Sequence, residues 1–193
     1  MQSDTPIVPR LFTFVGDSTG AWRVHEAKCI VGAPLPVASR VSVVAAPVAQ
    51  LPQDALWTLR GITSNERYVE SDEKSALIKR QEGLGRPAST LAALIPIRKT
   101  SVWWTLAQDE RRHIFEAQSH HIATGLKYLP AVARRLHHCR DLGPSEPFDF
   151  LTWFEYPPSD SAAFDELVMV LRSSPEWEYV DREIDIRLGR PEA

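Results

Sequence analysis

Apolar residues recur at every second position over several stretches of this 193-residue chain, and at helical spacing over others. From Tyr179 to Leu188 the alternation is strict: Ile184, Ile186 and Leu188 share one face of a strand, and Glu183, Asp185 and Arg187 the other. Phe148 to Tyr156 alternates too, with Asp149, Leu151, Trp153 and Glu155 on one face. Thr90 to Lys99 reads as a uniformly apolar strand, and Leu129 to Cys139 as an extended segment. Thr100 to Ile122 is largely helical, with Gln108-Asp109-Glu110 opening a well-formed helix, and Ser159 to Ser173 is a helix with Ser and Asp at its start. Strand, helix, two strands, helix and strand make a β-α-β-β-α-β unit of the ferredoxin-like kind.

The first half is less regular. Residues 11–16 and 21–31 are expected strands around a Gly-Asp-Ser-Thr-Gly turn. Val41 to Val44 and Leu56 to Ile62 are further strands, the Pro-, Ala- and Val-rich stretch 33–54 being otherwise loop. Ser71 to Arg80 can form a short helix, after which Gly83 and Gly85 break the chain. There is room here for a degenerate second copy of the same unit. The expected organisation is one domain over residues 1–193, with a degenerate half at about 1–89 and a complete half at about 90–193.

Composition narrows the partners. A hydrophobic content of 44% with 24% charged residues is that of an ordinary soluble globular protein. The net charge of -3, with no basic run, argues against a nucleic-acid or membrane surface, so attraction for an anionic substrate has to be local. Cys29 and Cys139 are far apart, which is no disulfide framework and suits a reducing compartment. The opening MQSDTPIVPR has no apolar core of a secretory signal, and no apolar run approaches a membrane span. The cytoplasm is the expected location.

Six histidines are the candidate metal ligands. His113 and His120 share one helical stripe with Glu116 and Ala117. His121 lies on the other stripe with Ile114, Gln118 and Gly125, near Phe115 and Ile122, and so faces apolar ground. On pattern alone the plainer reading of His121 is a satisfied core histidine. His137 and His138 are neighbours on a strand, point to opposite faces and cannot chelate one ion together; His25 is isolated. No zinc-type Cys/His spacing, HExxH, nucleophile elbow, P-loop or dinucleotide fingerprint occurs. A lone histidine ligand suits haem better than zinc. Thirteen residues beyond His121 stands Arg134, which shares a strand face with Val132 and Leu136, while Arg135 shares the other with Ala131 and Ala133. One of the two arginines therefore points where the sheet wants an apolar residue. A buried cation needs a partner, and an anionic ligand at a bound metal would be one.

At this point several separated motifs fall into order. They are Trp57-Thr-Leu-Arg-Gly-Ile-Thr-Ser-Asn-Glu-Arg67-Tyr68, Gln81-Glu-Gly-Leu-Gly, Ile95-Pro-Ile-Arg-Lys99, Trp103-Trp104, the His121 to Arg134 segment, Pro175-Glu176 and Arg187-Leu-Gly. Together they resemble the chlorite dismutase family of haem b proteins from about residue 11 to 190. The resemblance implies an α+β fold: two ferredoxin-like β-α-β-β-α-β halves forming an antiparallel β-barrel flanked by helices, of the dimeric α/β-barrel type, with the C-terminal half binding haem. The compact length is like the short, usually dimeric branch of that family, which lacks the extra N-terminal segment of the longer, pentameric branch; a homodimer is expected.

The resemblance also implies roles. His121 is the expected proximal iron ligand, with Glu176 accepting the hydrogen bond of its other ring nitrogen. Lys99 belongs to the same network and Trp103 packs beside the haem. Arg134 is the expected distal arginine, Gln81 its distal neighbour, and Arg67 and Tyr68 partners of the haem propionates. Without the resemblance, Arg67 reads as a surface loop charge and Glu176 as a capping or solvated carboxylate. Glu155, at an inward-looking strand position, is the rival for the proximal carboxylate. The implied activity is decomposition of chlorite to chloride and O2, with one haem b per subunit, through a ferryl species and hypochlorite retained by Arg134. The alternative is a coproporphyrin haem decarboxylase, but no tyrosine occurs between Tyr68 and Tyr128, and Arg134 is present. A haem-binding or sensing module without turnover is the other alternative.

Overall fold

The computed structural model describes residues 10–45, 52–63, 68–80, 83–143 and 145–190. Eight strands run in chain order: β1 (Leu11–Asp17), β2 (Trp22–Val31), β3 (Arg40–Val44), β4 (Trp57–Ile62), β5 (Leu91–Lys99), β6 (Ala133–His138), β7 (Phe150–Tyr156) and β8 (Val180–Gly189). They close into an antiparallel barrel in the order β1-β3-β2-β8-β5-β7-β6-β4. Each half keeps the ferredoxin-like sequence of fourth, first, third and second strand: β4-β1-β3-β2 and β8-β5-β7-β6, sewn together by β2 with β8 and β4 with β6. The α+β barrel expected from the sequence is the one observed.

The second half carries the crossover helices: α2 (Ser101–Thr105), α3 (Gln108–Arg112) and α4 (His121–Lys127) between β5 and β6, and α5 (Ser161–Arg172) between β7 and β8. In the first half α1 (Ser71–Arg80) follows β4, and no helix stands between β1 and β4 among the described residues. The link from β1 to β2 is not a hairpin, since β3 lies between them. The chain steps across β3 so tightly that a Cβ on Gly20 would sit 2.4 Å from the Val41 carbonyl carbon. Asp17 shapes that step, its carboxylate accepting from the backbone N–H of Thr19 (3.0 Å) and Gly20 (2.7 Å) and from the Ser42 hydroxyl (3.0 Å).

Strand alternation sorts side chains into two cores. Phe14, Trp22, Leu59, Leu94, Leu151, Trp153, Ile184 and Ile186 fill the barrel interior. On the outer face, Ala93, Ile95, Ile97 and Phe154 meet Phe164, Leu167, Val168 and Leu171 of α5, spaced i, i+3, i+4 and i+7. β5 is buried on both faces, which is why it reads as a continuous apolar run. Each such large apolar side chain contributes about 1.5–3 kcal/mol on full burial.

Two expected boundaries move. The helix expected over 100–122 is broken into α2, α3, a π-helical turn over His113–Gln118 and a fresh start at His121. The extended segment expected over 129–139 shortens to Ala133–His138, because the chain turns over residues 128–131 after α4 before it can enter the sheet. No described helix is long and apolar enough to cross a membrane.

Inside the barrel His137 is fully buried between the rings of Phe12 and Phe14. Its Nδ1 lies 3.1 Å from the Leu151 carbonyl and its Nε2 accepts from Arg135 Nε at 3.2 Å, a pattern that requires the neutral ring. Burial pushes its pKa down to about 4, against the Leu151 carbonyl and with help from Arg135 and His138. The unfolded chain, with a pKa near 6.5, therefore takes up this proton first. Stability from His137 is present above about pH 6.5 and is lost as pH falls towards 4, by about 3 kcal/mol at most. Urea denaturation across this range should show a steeper loss for the wild-type chain than for His137→Gln. Parallel curves would remove His137 as a source of acid sensitivity.

Candidate functional site

A cavity of about 350 Å3 opens between the outer face of the second-half sheet and the helices. Ile95, Ile97, Thr152 and Phe154 supply its sheet wall, α5 closes one side through Val168 and Leu171, and Leu77 of α1 and Ile122 of α4 close the other. His121 and Arg134 both line it.

His121 reaches the cavity because the preceding helix widens into a π turn that takes up one extra residue. Ser119 N–H reaches back five residues to the Ile114 carbonyl (3.1 Å), and His120 adopts the left-handed conformation with φ 50°. The chain then restarts at His121, with the Glu116 carboxylate accepting from the N–H of Ile122 (2.6 Å) and Ala123 (3.3 Å) at the new helix start. The uninterrupted helical stripes expected around His113, His120 and His121 are thus replaced by two helices out of phase. His121 still faces the cavity, but from the first turn of α4 rather than from the end of a long helix. Its ring stacks on Phe115 at 4.2 Å.

His121 Nδ1 lies 2.7 Å from Glu176 Oε2, and Lys99 Nζ donates to Glu176 Oε1 at 2.7 Å. Glu176 sits on a short 3-10 turn (Pro175–Tyr179) after α5, and its own N–H donates to the Ser119 hydroxyl at 2.9 Å. Glu176 is 4% exposed. Burial alone would raise its pKa; the His121 and Lys99 charges and their hydrogen bonds outweigh that and hold it down at about 2. Burial pulls Lys99 below its ordinary range, with Glu176 opposing. The capping or solvated reading of Glu176 is overturned, and so is the rival Glu155. That residue points into the barrel, away from His121, and accepts from Trp153 Nε1 (2.9 Å) and Gly85 N–H (2.6 Å).

Both arginines line the cavity: Arg134 reaches it from the outer face of β6, while the Arg135 guanidinium lies on the other side of the strand over the Phe12 ring, 3.9 Å from its centroid. The Arg134 guanidinium crosses to α4 and lies against Gly125, one turn beyond His121. A Cβ there would stand 2.1 Å from Arg134 Nη1. The bare glycine makes the room that the Arg134 guanidinium occupies against α4.

Trp103 is buried beside the triad, its ring centroid 4.7 Å from Lys99 Nζ, and its Nε1 has no hydrogen-bond partner among the described atoms. Tyr68 lies edge-on to Trp103 and adjacent to Phe115, in the left-handed conformation with φ 65°. Arg67 and Gln81 lie outside the described residues. Sequence reasoning missed Arg111. It is buried and donates to the carbonyls of Trp103 (3.0 Å), Trp104 (2.9 Å) and Leu106 (2.8 Å) and to the Tyr68 hydroxyl (3.4 Å), so fixing the Trp103 end of the site. An arginine in a charged helical turn carries no sequence signal of burial. Among the described residues no group of three or more His, Cys, Asp and Glu could hold a metal ion. A metal centre here would draw on the single imidazole of His121, whose Nδ1 is engaged by Glu176 and whose Nε2 would be the nitrogen left to coordinate.

The geometry finds its counterparts among known proteins. A family model described as chlorite dismutase matches residues 48–191. A curated chlorite dismutase from Ideonella dechloratans is 32% identical over 140 residues, 72% of this chain, and the chain spans 45% of that relative's length. The crystal structure of a dimeric chlorite dismutase from Nitrobacter winogradskyi superposes with a TM-score of 0.85 at 53% identity, covering 93% of this chain and 99% of that one. A chlorite dismutase from Candidatus Nitrospira defluvii in complex with imidazole superposes with a TM-score of 0.57 at 26% identity, over 70% of this chain and 56% of that one. With a barrel of this strand order and a family match over well more than half its length, the chain belongs to the chlorite dismutase family.

Proposed function

We propose that the protein is a haem b enzyme that decomposes chlorite to chloride and molecular oxygen, working as a homodimer in the cytoplasm. The observation that carries this reading is the His121–Glu176–Lys99 triad opening onto a cavity whose other wall presents Arg134. The residues fit such a group. Among the described residues one imidazole stands without accompanying carboxylate or thiolate ligands, which suits an iron that would bring its own nitrogen ligands. Trp103, buried beside Lys99, would pack beside the macrocycle. Tyr68, and Arg67 beside it in sequence, would serve the haem propionates. The dimeric relative at 53% identity supports the assembly.

Haem b, when bound, supplies the redox chemistry that splits chlorite and joins its oxygens. The chain's own residues do the rest. His121 would hold the group through Nε2, and its Nδ1–H points at a carboxylate rather than a carbonyl, which raises the basicity of the ring. Lys99 keeps that carboxylate ionised although it is out of water. Arg134 offers a fixed positive charge to chlorite and to the hypochlorite that must be held until the oxygens combine, each charge-assisted hydrogen bond contributing about 1.5–3 kcal/mol. Gln81 would restrain the Arg134 side chain. The apolar wall of Ile95, Ile97 and Phe154 keeps competing water from these anions.

Oxygen-electrode traces on haem-loaded protein with chlorite should show O2 evolution. A Soret band without O2 would instead make the protein a haem-binding module, and decarboxylation of coproporphyrin haem would make it a biosynthetic enzyme. His121→Ala should lose most haem affinity, read by titration at the Soret maximum; retained affinity would move ligation elsewhere. Arg134→Gln should keep haem but release more hypochlorite. Total O2 per enzyme before bleaching should then fall, and a hypochlorite scavenger should restore it. A wild-type yield that ignores the scavenger would remove Arg134 from this role.

A further inference from the structure

The outward face of β8 carries Glu183, Asp185 and Arg187, an alternation that by itself would put them in water. Glu183 is instead wholly buried and lines the same cavity as His121. A buried carboxylate is costly unless its oxygens and charge are met. Arg172, at the end of α5, donates Nε (2.8 Å) and Nη2 (2.6 Å) to Glu183 Oε1, and Trp177 Nε1 donates to Oε2 at 2.7 Å. Trp177 follows Glu176 directly in the chain, and its ring centroid lies 5.4 Å from Lys99 Nζ. Four charges thus alternate in sign around one indole: Glu176, Lys99, Glu183 and Arg172. Lys99 is held to Glu176 by a hydrogen bond, while Asp149 and, less strongly, Glu183 act on it through space in the same direction as Glu176.

We infer that Glu183 is a positioning residue of the His121 ligand set, its fixed charge balancing Lys99 and so setting how much of the Glu176 charge is left to polarise the imidazole. This rests on the haem reading above. The effect is electrostatic and acts between buried side chains, with little water to screen it. With Glu183 neutral, Lys99 draws harder on Glu176, His121 becomes the poorer donor, and the oxidised iron loses stabilisation. Arg172 has the opposite sign of influence. Its loss leaves Glu183 less neutralised, and Asp185, which Arg172 also binds at 2.9 Å, keeps Arg187 as a partner.

The test is the reduction potential and the iron–imidazole vibrational frequency of haem-loaded variants, with Glu176→Gln as reference. Glu183→Gln should raise the potential, by less than Glu176→Gln does, and lower the frequency. Glu183→Asp, which keeps the charge but shortens the arm, should stay near wild type. A purely structural role predicts the reverse order, with Asp as disruptive as Gln or more so, and that result overturns the inference. Should Glu183→Gln fail to fold, Arg172→Met serves instead: a lowered potential supports the inference, and an unchanged or raised one overturns it. If Glu176→Gln shifts the potential while Glu183→Gln does not, the haem reading stands and this inference falls. If the wild-type protein takes up no haem at all, both fall.

Discussion

The Glu176 carboxylate is where the tertiary structure converges. It lies out of water, and two parts of the chain meet on it: His121 from the start of α4 and Lys99 from the end of β5, while the Glu176 backbone N–H donates to the Ser119 hydroxyl in the turn between the two helices. An ionised carboxylate in such a place is stable only because both its oxygens are met by donors that carry charge or can do so. Removing one partner of a buried pair of this kind costs about 3–5 kcal/mol, since the group left behind keeps its desolvation penalty. The triad is therefore a structural clamp as well as a ligand-tuning device. The two roles are inseparable here because the same hydrogen bond that fixes the imidazole plane also fixes α4 against the turn carrying Glu176.

The barrel makes room for this clamp by being covered unevenly. α5 packs its apolar stripe on the outer face of β5 and β7, sealing that part of the sheet. Where α5 ends, the sheet face stays open between β6 and α4, and the cavity forms there. The margin between sealed core and cavity is held by charge rather than hydrocarbon. Glu183 and Asp185 are buried on β8 and met by Arg172 and Arg187, with Arg187 reaching on to Asp165 at 2.7 Å. Polar groups in this position keep the wall rigid only because each is satisfied, the condition under which a buried network specifies one arrangement.

Register decides which arginine serves the site. Arg134 and Arg135 are chemically alike, but the two-residue period of β6 sends them to opposite sides of the barrel wall. Arg135 is spent inside, over Phe12 and beside His137. Arg134 reaches across the cavity to the bare surface of Gly125. A slip of one residue would exchange them and place His137, whose ring must stay neutral, at the open face.

Much of this was legible in the chain. Strict alternation in β7 and β8, the apolar run of β5 and the i, i+3, i+4, i+7 spacing of α5 each encode burial locally, so the second half of the fold follows from period alone. His121 and Arg134 could be singled out because a charged or titratable side chain on an apolar face is a local anomaly. That Glu176 and Lys99 share one site came only with the family resemblance, for they are 77 residues apart. The step of β1 across β3, the π-helical turn that re-aims His121, the choice between Glu176 and Glu155, and the burial of Arg111 and Glu183 were decided by the tertiary structure. Each depends on what lies opposite a residue once the barrel has closed, and a charged side chain looks the same in sequence whether it meets water or a buried partner.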